Sequence, residues 1–182
     1  MARRNETVAP KHYLEALSTS LPDGSQEFLT LIEKTVSAAQ QGKTTEWFAE
    51  SLDLSRKVTG YVFHTVPVCL HAWLTHQHDF GEAIRAVIRC GGDADSTAAI
   101  VGGIVGCSVG RERIPVELLD GLIEWPRTVK WMERLGQQLA QARQTGQPER
   151  PLRLSFMATL LRNLFFLMVV LFHGFRRLLP PY

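Results

Sequence analysis

Cysteine is scarce in this chain. Three residues in 182, Cys69, Cys90 and Cys107, stand far apart with no CxxC pair. An odd, unspaced set excludes a secreted disulfide scaffold and reads as buried, reduced thiols in a cytoplasmic protein. Strand signals are absent too: no run alternates polar and apolar residues, no segment repeats and none is of low complexity. The first ten residues, MARRNETVAP, contain no apolar stretch and no cleavage pattern, so no signal peptide is expected there. Long hydrophobic runs are missing. The two most apolar stretches, 98–109 and 164–172, fall short of the ~20 residues a spanning helix needs. Excess charge is small as well, 20 Lys and Arg against 18 Asp and Glu, and +2 gives no argument for nucleic acid. Acid is wholly lacking from 150–182, which carries Arg150, Arg153, Arg162, Arg176 and Arg177, leaving −3 on the rest.

What is present is helical period. Phe28, Leu31, Ile32, Thr35, Val36 and Ala39 form one stripe after a turn at Leu21-Pro22-Asp23-Gly24, with Ser25 placed to cap it. Thr44 or Thr45 opens a short helix through Trp47, Phe48 and Leu52. Val62, Val66, Cys69, Leu70, Trp73 and Leu74 share a third face, with Pro67 either near its first turn or kinking it. Further helices are expected over 80–90, from Asp93 to about Gly110, over 116–122, over 127–142 and over 156–172. The fold class is all-α: a compact multi-helix domain over 1–143, a linker at 144–152 and an apolar C-terminal helix within 153–182.

The densest chemistry lies in Gly91-Gly92-Asp93-Ala94-Asp95-Ser96-Thr97. Two glycines free the backbone for a tight turn. Asp93 then stands at a helix N-cap, with Asp95 and Ser96 in the first turn. Two carboxylates and a hydroxyl within four residues repel one another without a cation, and such hard oxygens suit Mg²⁺, Mn²⁺ or Ca²⁺. The same residues also read as a capped helix start with one surplus acid. Downstream, Gly102, Gly106 and Gly110 fall on one helical face. Each costs ~1 kcal/mol against alanine, which predicts close approach of another backbone and a central, deeply packed helix.

These residues, with Ala98-Ala99-Ile100 and Ile114-Pro115, resemble the C-terminal signature of the ADP-ribosylglycohydrolases. Gly60-Tyr61-Val62, His64-Thr65 and Asp79-Phe80 fit upstream, so the resemblance covers roughly 14–135. It implies an all-α fold with a two-magnesium centre that cleaves a glycosidic bond to ADP-ribose. By that resemblance Asp93, Asp95 and Ser96 are metal ligands, Ser96 replacing the family's usual threonine. The cofactor implied is Mg²⁺, two ions in a complete site, with Mn²⁺ as the alternative. The family's glycine-rich opening segment and its Thr/Ser-Asp-Asp triplet are absent from residues 1–59, and adjacent aspartates occur nowhere. The expectation is therefore the C-terminal half of a longer enzyme, binding metal weakly and catalysing poorly alone. A non-catalytic binding module of the same fold is the alternative.

Other residues are read more plainly. His64, His71, His76 and His78 lack a completing ligand set and are expected as solvated or helix-start histidines. Trp73, Trp125 and Trp131 are expected in the core, and Arg85 with Arg89 on a solvated face. Leu164 to Phe172 is apolar on every side, with cations flanking it, and Gly174 with Pro180-Pro181 is expected to close off any extension. Burial, against the fold, a complementing N-terminal half or a second copy, is preferred for it over a membrane surface. The remaining partner expected is an ADP-ribose conjugate as substrate, and no nucleic acid.

Overall fold

A computed structural model describes residues 6–54 and 58–178. These residues are helical with no strand among them, as the periodicity predicts. Contacts divide the chain into two units, the first ending at Pro115 and the second beginning at Val116.

The first unit holds α1 (Pro10–Ser18), α2 (Gln26–Gln40), α3 (Thr45–Ser51), α4 (Val62–Thr75), α5 (Phe80–Cys90) and α6 (Ala94–Val109), then a 3₁₀ turn at Arg111–Arg113. The core is built on α4, which packs against α2, α3, α5 and α6. Every residue from Pro67 to Leu74 is buried, because this helix is apolar on most of its faces and must be covered on most of them. Pro67 sits inside the helix at its second turn. Thr44 caps α3 by accepting a hydrogen bond from the Trp47 amide at 3.2 Å, and Asp79 caps α5 through the Glu82 amide at 2.9 Å. Ser25 stands at the N-cap of α2 without capping it; its hydroxyl donates to the Pro22 carbonyl instead.

Gln77, in the polar break between α4 and α5, is buried rather than solvated. Its amide clamps Val8, accepting from the backbone N–H at 2.7 Å and donating to the carbonyl at 2.8 Å. That clamp fixes the entry to α1, whose Tyr13 meets the buried Trp73 edge-on at 5.3 Å.

Several expectations need correction. The central helix is α4, not α6, which lies on α4 and α5 and buries Thr97, Val101, Val105, Ser108 and Val109 while Ala99, Ile100, Gly103 and Cys107 stay exposed. Its glycines admit side chains rather than a backbone: Gly102 faces Ile84 and Phe80, and Gly106 faces Phe80. Gly110 ends the helix at φ +75°. Cys69 and Cys90 are buried thiols, pushed up to about 12 and about 11 chiefly by that burial, but Cys107 is exposed. His71 is not solvated; it is fully buried.

The second unit contains α7 (Val116–Asp120), α8 (Val129–Thr145) and α9 (Phe156–Leu178). None of these helices buries a residue. Trp125 is about half exposed, against the expectation of a core anchor. Gly174 does not interrupt α9, which runs 23 residues as one helix. Pro180 and Pro181 lie outside the described residues.

His71 sets a pH dependence. Its ring stacks on Phe48 at 4.8 Å, Nδ1 lies 3.1 Å from Thr45 Oγ1, and Nε2 has no partner. Burial, with His76 adding repulsion, pushes its pKa down from 6.5 to about 4. The unfolded chain binds this proton below pH 6.5 while the folded chain refuses it until about pH 4. Stability is thus full above 6.5 and falls as the pH drops through that window, by about 3 kcal/mol at pH 4. Thermal melts of wild type and His71→Phe between pH 7 and 4 should diverge, the wild type losing the extra stability. Parallel pH profiles would contradict the buried neutral imidazole.

Candidate functional site

The Gly91-Gly92-Asp93 corner exists because only glycine tolerates its backbone. Gly91 and Gly92 lie at φ +69° and +74°, in the left-handed region. Gly92 is pressed against Val58, so a β-carbon there would overlap the Val58 carbonyl oxygen and stand 2.7 Å from the Val58 nitrogen. The next amide completes the junction: Asp93 N–H donates to the Val58 carbonyl at 2.7 Å. Thr97 ties the corner to its helix, donating from Oγ1 to the Asp93 carbonyl at 3.0 Å, while its own carbonyl receives the Cys69 thiol at 3.7 Å.

Asp93 occupies the N-cap position of α6, yet its side chain makes no capping hydrogen bond. The carboxylate points elsewhere. Oδ2 lies 3.2 Å from where a β-carbon of Gly60 would be, so the glycine at 60 keeps that space open. The Asp95 pKa is lowered, first by the Asp93 side chain beside it. The amides of Ser96 and of Asp95 itself, at the helix N-terminus, lower it further. Asp93 is half-buried while Asp95 and Ser96 are exposed. The pair therefore stands at a surface corner, not deep in the fold.

Two aspartates at a helix start, with Ser96 next along the chain, supply hard oxygen donors. They fit part of a Mg²⁺ or Mn²⁺ shell. Among the described residues no third His, Cys, Asp or Glu joins them in a group able to hold an ion, so the set does not fit a whole two-ion centre.

The chain matches the family model of the ADP-ribosylglycohydrolases over residues 2–149. It belongs to that family. No curated protein and no solved structure matches the chain. An ADP-ribosylglycohydrolase is a hydrolase of ADP-ribosylated substrates, and the family is generally metal-dependent. The all-helical architecture agrees with the family fold.

The other sequence candidates separate from this corner. Arg85 pairs with Glu82 at 2.8 Å, and Arg89 lies 3.9 Å from both Glu46 and Glu82, a solvated ionic face. His64 is held by Thr59 Oγ1 at 3.0 Å and meets Tyr61 edge-on. His78 Nε2 lies 2.8 Å from Thr7 Oγ1 on the surface. Two open depressions, of about 590 and 450 Å³, adjoin α3 and are lined by none of Asp93, Asp95 and Ser96. The residue that sequence reasoning missed in this member of the family is Val58. Its contribution is a carbonyl, which any residue type supplies, so only the paired glycines opposite could have hinted at it.

Two glycine substitutions test the corner together. Gly92→Ala combines a left-handed backbone with a collision at Val58 and should cost at least about 2 kcal/mol, lowering the melting temperature by about 10 °C. Gly103→Ala, helical and with nothing within 4 Å of its β-carbon, should instead stabilise by up to about 1 kcal/mol. Thermal denaturation distinguishes them, and equal effects would contradict the packing of Gly92 on Val58.

Proposed function

We propose that this chain contributes Asp93, Asp95 and Ser96 as ligands to a divalent cation, Mg²⁺ in preference to Mn²⁺, in the hydrolysis of a glycosidic bond to ADP-ribose. One observation carries the reading. A carboxylate at a helix N-cap normally accepts an amide hydrogen bond, whereas Asp93 forgoes it and turns to Asp95. Two carboxylates drawn together at one helix start repel each other, and a hard cation is the ligand that relieves both charges at once.

Within that reading each residue has a task. Asp93, anchored through its own backbone to Val58 and Thr97, provides a fixed oxygen. Asp95 remains ionised because helix amides and Asp93 favour its charged form. Ser96 offers a neutral hydroxyl beside them, and Gly60 leaves room at Asp93 Oδ2. The bound ion supplies charge stabilisation and orientation for the ribose oxygens near the scissile bond. The remaining ligands and any general base come from residues other than these three. A binding module of the same fold is the second reading, favoured by the missing third acid or imidazole beside the pair among the described residues.

Calorimetric titration with Mg²⁺ tests the assignment. Asp95→Ala should weaken binding at least about tenfold relative to wild type. Equal affinity would remove Asp95 from the ligand set. Hydrolysis of an ADP-ribosylated peptide in Mg²⁺ separates the two readings: turnover lost in Asp95→Ala identifies the enzyme, and metal binding without turnover identifies the module.

A further inference from the structure

We propose that α9 is a membrane-spanning helix, its partner a lipid bilayer with anionic headgroups. Among the described residues it is the one helix long and apolar enough to cross a membrane. Its 23 residues reach about 34 Å at 1.5 Å per residue, against a hydrocarbon thickness of ~30 Å. The uninterrupted apolar run within it, Leu164 to Phe172, is much shorter than the helix itself.

Two ordinary explanations for such a helix do not hold. A core helix of a soluble protein is mostly buried, but every residue from 164 to 178 is exposed. Nor is it a leader peptide of this chain, since 155 residues precede it.

The distribution of side chains chooses among coverings. Thr159, Arg162, Asn163, His173 and Arg177 fall on one face, but only near the two ends. Between them the same face carries Phe166, Val169 and Val170, with Leu164, Phe165, Leu167, Met168, Leu171 and Phe172 around the remainder. A helix lying in the headgroup plane needs a continuous polar face, and this one would leave Phe166 and Val170 in water. A second copy of α9 would cover one side and leave the others wet. Lipid covers all sides.

The cations sit where a bilayer wants them. Arg162 and Arg176 are about 21 Å apart along the axis, and their stems lengthen the span by snorkelling toward the headgroups. Side chains lean toward a helix N-terminus, which carries the Arg162 guanidinium outward at its end. That guanidinium is already partly neutralised, 2.9 Å from Glu124 and over the Phe166 ring at 5.6 Å. Arg176 and Arg177 at the other end complement anionic phosphates.

The test is cell-free synthesis of the full chain with phosphatidylcholine vesicles containing phosphatidylglycerol, followed by flotation and washes in high salt and alkaline carbonate. Wild type should float and resist both washes. Leu167→Arg/Val170→Arg, which places two charges at mid-helix, should reduce the resistant fraction by at least about 100-fold. Both positions are exposed and touch no core, and an unchanged thermal melt of the first unit confirms that the variant folds. Release of the wild type by salt or carbonate would show surface attachment and overturn the proposal. So would a wild-type chain that stays in the aqueous fraction, or variants that insert as well as it does.

Discussion

A single backbone hydrogen bond, from the Asp93 amide to the Val58 carbonyl at 2.7 Å, sets the position of the acid pair. Helix N-termini ordinarily leave their first amides without backbone partners. Here the N-cap amide is taken by a strand of irregular chain, and Gly92 lets the two backbones touch. Because the cap residue is anchored through its main chain, its carboxylate is released from capping. Asp93 can then face Asp95 and the open space at Gly60. Burial of Thr97 one turn later locks the start of α6 to α4 through Cys69.

Rigidity behind this corner comes from α4. Its apolar faces are covered by α2, α3, α5 and α6, and even the buried His71 is accommodated as a neutral ring on Phe48. The outer face of α6 is different: Ala99, Ile100, Gly103 and Cys107 are exposed beside exposed Ser96. A small-residue helix with one bare face offers backbone close to its surface without obstructing the acid pair.

Most of the fold was legible because apolar residues at helical spacing report burial on one face. The α5 boundaries at Phe80 and Cys90 follow from the polar break that ends at Asp79 and the stop at Gly91, and the structure adds Asp79 as the cap. The same logic misled at α6, where glycines on one face suggested backbone contact but receive Phe80 and Ile84. Periodicity reports that a face is small, not what fills the space. Of the site, the ligand types were legible and the anchoring was not, since a carbonyl contact from Val58 leaves no trace in residue identity. Solvation was misjudged at both ends of the scale: His71 is buried by stacking, and Trp125 is exposed. In α9 the helix continues through Gly174, since a lone glycine costs only ~1 kcal/mol and a long apolar segment absorbs it.

Native-state hydrogen exchange at the Asp93 amide tests the central claim most directly. An N-cap amide at a half-exposed corner would ordinarily exchange close to its intrinsic rate, as frayed or solvent-facing amides do. If Val58 holds it, exchange should be slowed to within about tenfold of the buried α4 amides, opening only with the whole first unit. Exchange of Asp93 near the intrinsic rate, while α4 remains protected, would contradict the account.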